Sequence, residues 1–119
     1  MIIASHRDLT VWQKSMGLVL AVYELTEQFP KSEMYGLSSQ MRRATVSIPS
    51  NIAEGKTRGT RKDYRHFLLN SFGSGAELET QIEIAKQLPF GKNLEYTKVD
   101  KLLVEVMKML NALIKKLGA

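Results

Sequence analysis

Residues 60–88 decide the fold, and they read TRKDYRHFLLNSFGSGAELETQIEIAKQL. Apolar or small residues recur in this stretch at alternating spacings of three and four, which places them on one face of an α-helix. The residues of this face are Tyr64, Leu68, Ser71, Gly75, Leu78, Ile82 and Ala85. Thr60 is the expected N-cap, because Asp63 stands three residues later in the position of a capping box. Since Pro89 ends the pattern, the stretch predicts one long helix.

Three other segments share this helical periodicity, and we predict helices over residues 8–28, 37–54 and 97–117. No segment alternates steadily between apolar and polar residues, so strands are not expected. Four helices of similar length joined by short loops favour an antiparallel arrangement. The sequence therefore predicts an all-α fold, an up-down four-helix bundle that forms one domain over residues 1–119.

The ends of these helices carry recognisable signals. Asp8 is the expected N-cap of the first helix, and Pro30 stops that helix. Gly55 is the expected stop of the second helix, and Thr97 is the expected N-cap of the last.

A proline lies inside the second predicted helix. Pro49 removes one backbone donor and crowds the carbonyl of Thr45, so a kink is expected there. Ser47, Ser50 and Asn51 are close enough in sequence to satisfy the freed backbone groups. We interpret the proline as a tolerated bend in a packed helix; the alternative is a functional hinge.

The first and last predicted helices carry more apolar surface than one small bundle readily covers. One stripe of the first helix consists of Val11, Leu18, Val22, Leu25 and Phe29. A second stripe beside it consists of Leu9, Trp12, Met16, Val19 and Tyr23. The last helix is apolar around most of its circumference and needs partners on more than one side. These surfaces favour a homo-oligomer; the alternative is that they form the core of a monomer.

Positive charge is concentrated in the middle of the chain. The sequence has 17 basic and 12 acidic residues, a formal net charge of +5. Residues 42–66 hold seven basic and two acidic residues, so the net charge of this segment equals that of the whole chain. Such a cluster is a footprint of polyanion binding, and the alternative is an ordinary solvated surface. The candidate nucleic-acid-binding residues are Arg42, Arg43, Lys56, Arg58, Arg61, Lys62 and Arg65.

The position of three of these cations favours an anionic ligand. Arg61, Lys62 and Arg65 lie in the first turns of the third predicted helix, where positive side chains oppose the helix dipole. A phosphate there would meet free backbone N–H groups together with the arginine side chains. Few aromatic residues are interleaved with the cations, so readout of base sequence is not expected. The pattern predicts binding to the backbone of RNA or DNA and leaves open which of the two.

Composition excludes several classes of protein. The chain has no cysteine, which removes disulfides and thiolate metal sites. Its apolar stretches are far shorter than the roughly 20 residues that span a bilayer. No basic start followed by an apolar segment and a small-residue cleavage site opens the sequence. We therefore expect a cytoplasmic protein.

No catalytic arrangement of residues is present. Residues 50–57 read SNIAEGKT and end like a nucleotide-binding P-loop, but Ser50 stands where that motif requires its first glycine. A helix also precedes the motif where a strand is required. His6 and His66 form no metal-ligand pair with each other or with glutamate. We predict no catalytic residue, no metal and no cofactor, and a protein that is not an enzyme.

Several short motifs resemble a known bacterial family. Residues 35–37, 40–44 and 47–55 read YGL, QMRRA and SIPSNIAEG. In the first predicted helix the matching residues 8–9 and 11–14 read DL and VWQK, and in the third the matching residues 73–74 and 77–81 read GS and ELETQ. Together they resemble the 23S rRNA-intervening-sequence proteins over nearly the whole chain. Gly75 departs from the family, which usually has alanine or a larger apolar residue there.

The resemblance carries expectations about assembly. It implies an up-down bundle that assembles into a ring-like homopentamer. The accessory variability protein of diversity-generating retroelements looks like a structural relative; it is a basic pentameric barrel that binds nucleic acid and a reverse transcriptase. The family name records a gene location and implies no activity.

Two functional hypotheses remain after these exclusions. The first is a non-enzymatic oligomer that binds RNA or DNA through repeated phosphate contacts. The second is a protein-interaction scaffold that docks a partner with an acidic face. Neither hypothesis involves a membrane or a small-molecule substrate.

Overall fold

The computed structural model of the protein describes residues 5–118. Its main helices are α1 (Thr10–Glu27), α2 (Leu37–Thr57), α3 (Arg61–Gln87) and α4 (Thr97–Leu117). Short 3-10 helices precede α1 at His6–Asp8 and α2 at Lys31–Glu33. Over residues 5–118 the structure contains these helices and no strand, so the predicted all-α fold with four helices is confirmed. Residues 1–4 and Ala119 of the predicted domain lie outside the described residues.

The four helices form a bundle in which each helix contacts two neighbours. α1 and α3 each lie against both α2 and α4. Neighbours run antiparallel: Lys98 at the start of α4 lies 3.6 Å from Glu24 near the end of α1. Ser71 of α3 donates a 2.8 Å hydrogen bond to the carbonyl of Ile48 in α2. The start of α3 and the end of α4 therefore lie at the same end of the bundle.

All four helices contribute to one apolar core. Leu18, Ile48, Leu78 and Leu110, one from each helix, are fully buried. Burying a side chain of this size stabilises the fold by about 1.5–3 kcal/mol. The predicted face of α3 is confirmed, because six of its seven residues are buried and Tyr64 is half-buried.

The two apolar stripes of the first helix have different environments. The stripe that begins at Val11 is buried in the core. The stripe that includes Met16 and Tyr23 lies on the outer surface, where each of these two side chains is 39% exposed. This second stripe leaves apolar surface uncovered on the single chain.

The start of α1 differs from the prediction. Asp8 lies in the preceding 3-10 helix, and α1 begins at Thr10 after Leu9, which makes no side-chain cap. The cause is Ser5, whose hydroxyl accepts a 3.1 Å hydrogen bond from the backbone N–H of Arg7. This bond stabilises a tight turn over residues 5–8, and the first residue of α1 therefore lies beyond Asp8.

The end of α2 was also predicted wrongly. The helix continues through Gly55 and ends at Thr57. Gly55 is buried, and a Cβ placed on it would lie 2.7 Å from the Cβ of Phe67 and 3.2 Å from the carbonyl oxygen of Tyr64. Glycine is therefore needed here for the close approach of α2 and α3.

The predicted cap of α3 is confirmed, and that of α4 is displaced by one residue. Thr60 accepts a 3.1 Å hydrogen bond from the backbone N–H of Asp63. Thr97 is the first residue of α4, with Tyr96 in the N-cap position. The carboxylate of Glu95 accepts a 3.0 Å hydrogen bond from the backbone N–H of Thr97 and supplies the missing cap.

The surroundings of Pro49 differ from the expectation. Asn51 donates to the carbonyl and hydroxyl of Ser47, at 2.8 and 2.9 Å, and Ser74 donates to the same hydroxyl. No side-chain hydrogen bond to the carbonyl of Thr45 occurs among the residues that the structure describes. The polar side chains around the proline therefore tie α2 to α3 instead of satisfying the group that Pro49 crowds.

Gly75, where the chain departs from the family it resembles, makes room for α4. It is buried on α3, and a Cβ placed on it would collide with the sulfur of Met107. The flexible methionine thus fills the space that a larger residue would occupy.

Candidate nucleic-acid interface

One end of the bundle collects the positive charge of the chain. The segments that meet there are residues 5–8, 54–66 and 115–118, which we call the basic end. Its cations are Arg7, Lys56, Arg58, Arg61, Lys62, Arg65, Lys115 and Lys116. Its anions are Asp8, Glu54 and Asp63. The surplus of five equals the net charge of the whole protein.

Arg61 and Arg65 hold the end of α4. The Nη2 of Arg61 donates to the carbonyl of Lys116 at 2.7 Å, and its Nε donates to the carbonyl of Leu117 at 3.2 Å. The Nε of Arg65 donates to the carbonyl of Ile114 at 3.3 Å. The last carbonyls of a helix have no partner within the helix and carry partial negative charge. Arg61 and Arg65, which the sequence predicts to bind phosphate, therefore already hold α3 and α4 together.

We expect Arg61→Ala to lower the free energy of unfolding by about 1 kcal/mol, because two hydrogen bonds to α4 are lost. Urea denaturation followed by circular dichroism measures this change. Lys62→Ala is the matched control, since Lys62 is the next residue and is exposed. Equal stability of the two variants would contradict the capping role of Arg61.

Lys56 and Arg58 lie beside the loop that joins α2 and α3. The Nη2 of Arg58 lies 2.9 Å from Glu54, and its guanidinium lies 5.1 Å from the ring centre of Phe67. The ammonium of Lys56 lies 5.4 Å from the ring centre of Tyr64. Burial raises the pKa of Tyr64, so its hydroxyl stays neutral. The pair of Arg58 with Glu54 is exposed and contributes little, so a phosphate can replace the carboxylate.

Three lysines of the basic end have no ion-pair partner within the part of the chain that the structure describes. Lys62, Lys115 and Lys116 are exposed, and their ammonium groups form no ion pair with any residue from 5 to 118. Sequence reasoning missed Lys115 and Lys116 because they lie 50 or more positions along the chain from the other cations of the basic end. The predicted up-down topology could have identified these two lysines, since it places the end of the fourth helix beside the start of the third.

Arg42 and Arg43 lie on another part of the surface. They are about 20 Å from Lys56 along α2, at 1.5 Å per residue. Arg42 donates to the hydroxyl of Thr26 at 2.8 Å and lies 3.2 Å from Glu27. Arg43 is exposed. The structure thus brings five of the seven predicted residues together and separates these two.

Among residues 5–118, no three side chains of His, Asp or Glu gather as metal ligands would. Gly55, Lys56 and Thr57, which resemble the end of a P-loop, lie in the last turn of α2. No helix in this range is long and apolar enough to cross a membrane.

The chain matches a known family of proteins over most of its length. The family model described as 23S rRNA-intervening sequence protein matches residues 7–112. No curated protein matches the chain. The matched range covers α1, α2, α3 and most of α4, and it ends before Lys115 and Lys116.

Proposed function

The chain belongs to the 23S rRNA-intervening sequence protein family, and we propose that it is a non-enzymatic, oligomeric protein that binds the phosphate backbone of RNA or DNA. The observation that carries this proposal is the basic end, where the net charge of the whole chain is gathered. Phosphate contacts dominate the affinity of proteins for nucleic acid and do not depend on base sequence.

The residues of the basic end have different parts in the proposed binding. Lys62, Lys115 and Lys116 contact phosphates directly, because no carboxylate among residues 5–118 forms an ion pair with them. Arg58 exchanges Glu54 for a phosphate, and Lys56 contacts the strand beside it. Arg61 and Arg65 add positive potential while they hold α4. Arg42 and Arg43 lie too far away to share the same few phosphates.

In this proposal the protein acts as a homo-oligomer in the cytoplasm. The resemblance to the family implies a pentamer, in which one basic end per copy would be repeated around a ring. Several weak phosphate sites on one rigid assembly bind a long strand more tightly than one site does, because all of them contact the same strand simultaneously. The alternative is a scaffold whose basic end docks an acidic protein.

We expect the protein to bind RNA, single-stranded DNA and duplex DNA of unrelated sequences with similar affinities. Fluorescence anisotropy of labelled oligonucleotides at low salt measures this binding. A capture experiment from lysate separates the alternatives, since an acidic protein partner survives nuclease treatment and a nucleic acid does not. Absence of binding to all three nucleic acids would contradict the proposal.

A further inference from the structure

A long groove runs over the outer surface of α1 and α2. Its first part, of about 380 Å³, is lined by Trp12, Met16, Val19 and Pro49. Its second part, of about 600 Å³, is lined by Tyr23, Met34, Tyr35 and the two arginines of α2. Val46 lines both parts, so they form one continuous surface, which we call the α1–α2 groove.

The α1–α2 groove exposes apolar side chains that a monomer would leave in water. Val46 is 40% exposed, Met34 is 53% exposed and Tyr35 is 93% exposed. The groove extends along α2 from Ser39 to Ala53, about 21 Å at 1.5 Å per residue. Contiguous apolar surface of this kind marks a site of association.

The outer face of α3 carries an exposed, uncharged row of residues whose shape and length suit the α1–α2 groove. Every side chain in the row along this face is uncharged and exposed. The row consists of Leu69, Gly73, Ala76, Thr80 and Ile84. It is about 22 Å long, close to the length of about 21 Å of the groove. Small residues in its middle allow the backbone of α3 to approach another surface closely, and a Cβ on Gly73 would meet nothing within 4 Å.

Charge next to the two surfaces is also complementary. Arg43 is exposed at the edge of the groove, and no carboxylate among residues 5–118 forms an ion pair with it. Glu77 and Glu79 flank the row on α3, and both are exposed without an ion pair in the same range. A cation on one surface and two anions beside the other steer the two surfaces together and fix their register.

We propose that the outer face of α3 in one copy of this chain packs into the α1–α2 groove of a second copy. The two surfaces are different, so the contact is head-to-tail; its repetition builds a ring when the rotation between copies closes, as the proposed pentamer requires. A second copy fits better than a nucleic acid, because Trp12, Met16, Val19 and Pro49 give the groove a mostly apolar lining. This inference rests on the assembly in the proposed function and assigns its two contact surfaces.

Two substitutions test the contact, one on each surface. Val46→Glu places a carboxylate in the groove, and Ala76→Glu places one in the middle of the row on α3. Both positions are exposed on the single chain, so the fold tolerates the change. We expect each variant to be a monomer by light scattering, whereas the unmodified protein and the control Ala112→Glu, an exposed alanine of α4, form the oligomer.

Mixing the two variants gives the sharpest result. The Val46→Glu copy keeps an intact α3 face, and the Ala76→Glu copy keeps an intact groove, so one good contact remains between them. We expect an equimolar mixture to form a heterodimer and nothing larger. Formation of the heterodimer also shows that both variants are folded.

Several results would overturn this inference. Oligomers of either single variant, or a mixture that stays monomeric, would show that the two surfaces do not meet. Weaker binding of single-stranded RNA by the Val46→Glu variant with its assembly unchanged would assign the groove to nucleic acid. An unmodified protein that is monomeric at all concentrations would remove the proposed assembly itself. If the unmodified protein binds no RNA or DNA but the variants dissociate as expected, the contact stands and nucleic-acid binding fails.

Discussion

Replacing Lys62, Lys115 and Lys116 with alanine weakens the binding of RNA and DNA by about a hundredfold, at roughly 1 kcal/mol for each lost phosphate contact. These three side chains carry no structural hydrogen bond or ion pair within residues 5–118, so their loss leaves the fold intact. Removing Lys62 relieves a charge that opposes the dipole of α3, which offsets the small cost of removing two lysines from the last turn of α4. Anisotropy titrations at constant salt measure the change in affinity.

The matched control removes three charges from the opposite end of the bundle. Lys31, Lys92 and Lys101 are exposed there, and their replacement by alanine changes the net charge by the same amount. We expect the affinity of this variant to stay within about threefold of the original, because charges beyond a Debye length are screened. An equal loss of affinity in both triple variants would mean that net charge alone governs binding. No loss of affinity in either variant would contradict the proposed binding surface.

Gly55→Ala lowers the free energy of unfolding by about 2–3 kcal/mol, as overpacking of a close contact does. The added methyl group would lie 2.7 Å from the Cβ of Phe67 and 3.2 Å from the carbonyl oxygen of Tyr64. Backbone and Cβ atoms cannot turn away as the end of a flexible side chain can, so α2 and α3 must separate. Thermal unfolding followed by circular dichroism measures the loss, which corresponds to about 10 °C in the melting temperature.

The control for this substitution is another helical glycine. A Cβ placed on Gly17 of α1 would meet nothing within 4 Å. We therefore expect Gly17→Ala to raise stability by up to about 1 kcal/mol through its higher helix propensity. If Gly55→Ala proved as stable as the original protein, the close approach of α2 and α3 would be wrong.

The fold could be predicted from the sequence because the pattern of each helix is local. The spacing from Tyr64 to Ala85 defines the buried face of α3, and Thr60 marks its start without reference to any other helix. Gly55 was misinterpreted because a glycine after an apolar pattern suits either a helix end or a close contact. The positions of Phe67 and Tyr64 on α3 distinguish the two.

The candidate site could be predicted only in part, because its geometry is not local. The sequence showed where cations are frequent along the chain, but not that Arg61 and Arg65 bind carbonyls of α4. In the sequence, Lys115 and Lys116 are also far from the other cations, although the fold places them at the basic end with the rest. Which charges are free depends on the ends of neighbouring helices, and that information lies in the topology.

The salt dependence of binding tests the central claim most directly. The logarithm of the affinity for a single-stranded RNA falls linearly with the logarithm of the salt concentration, by about 0.7 for each neutralised phosphate. We predict a steep slope for the unmodified protein and a slope that is smaller by about 2 for the variant without Lys62, Lys115 and Lys116. Identical slopes for the two proteins, or an affinity that salt does not change, would contradict the account.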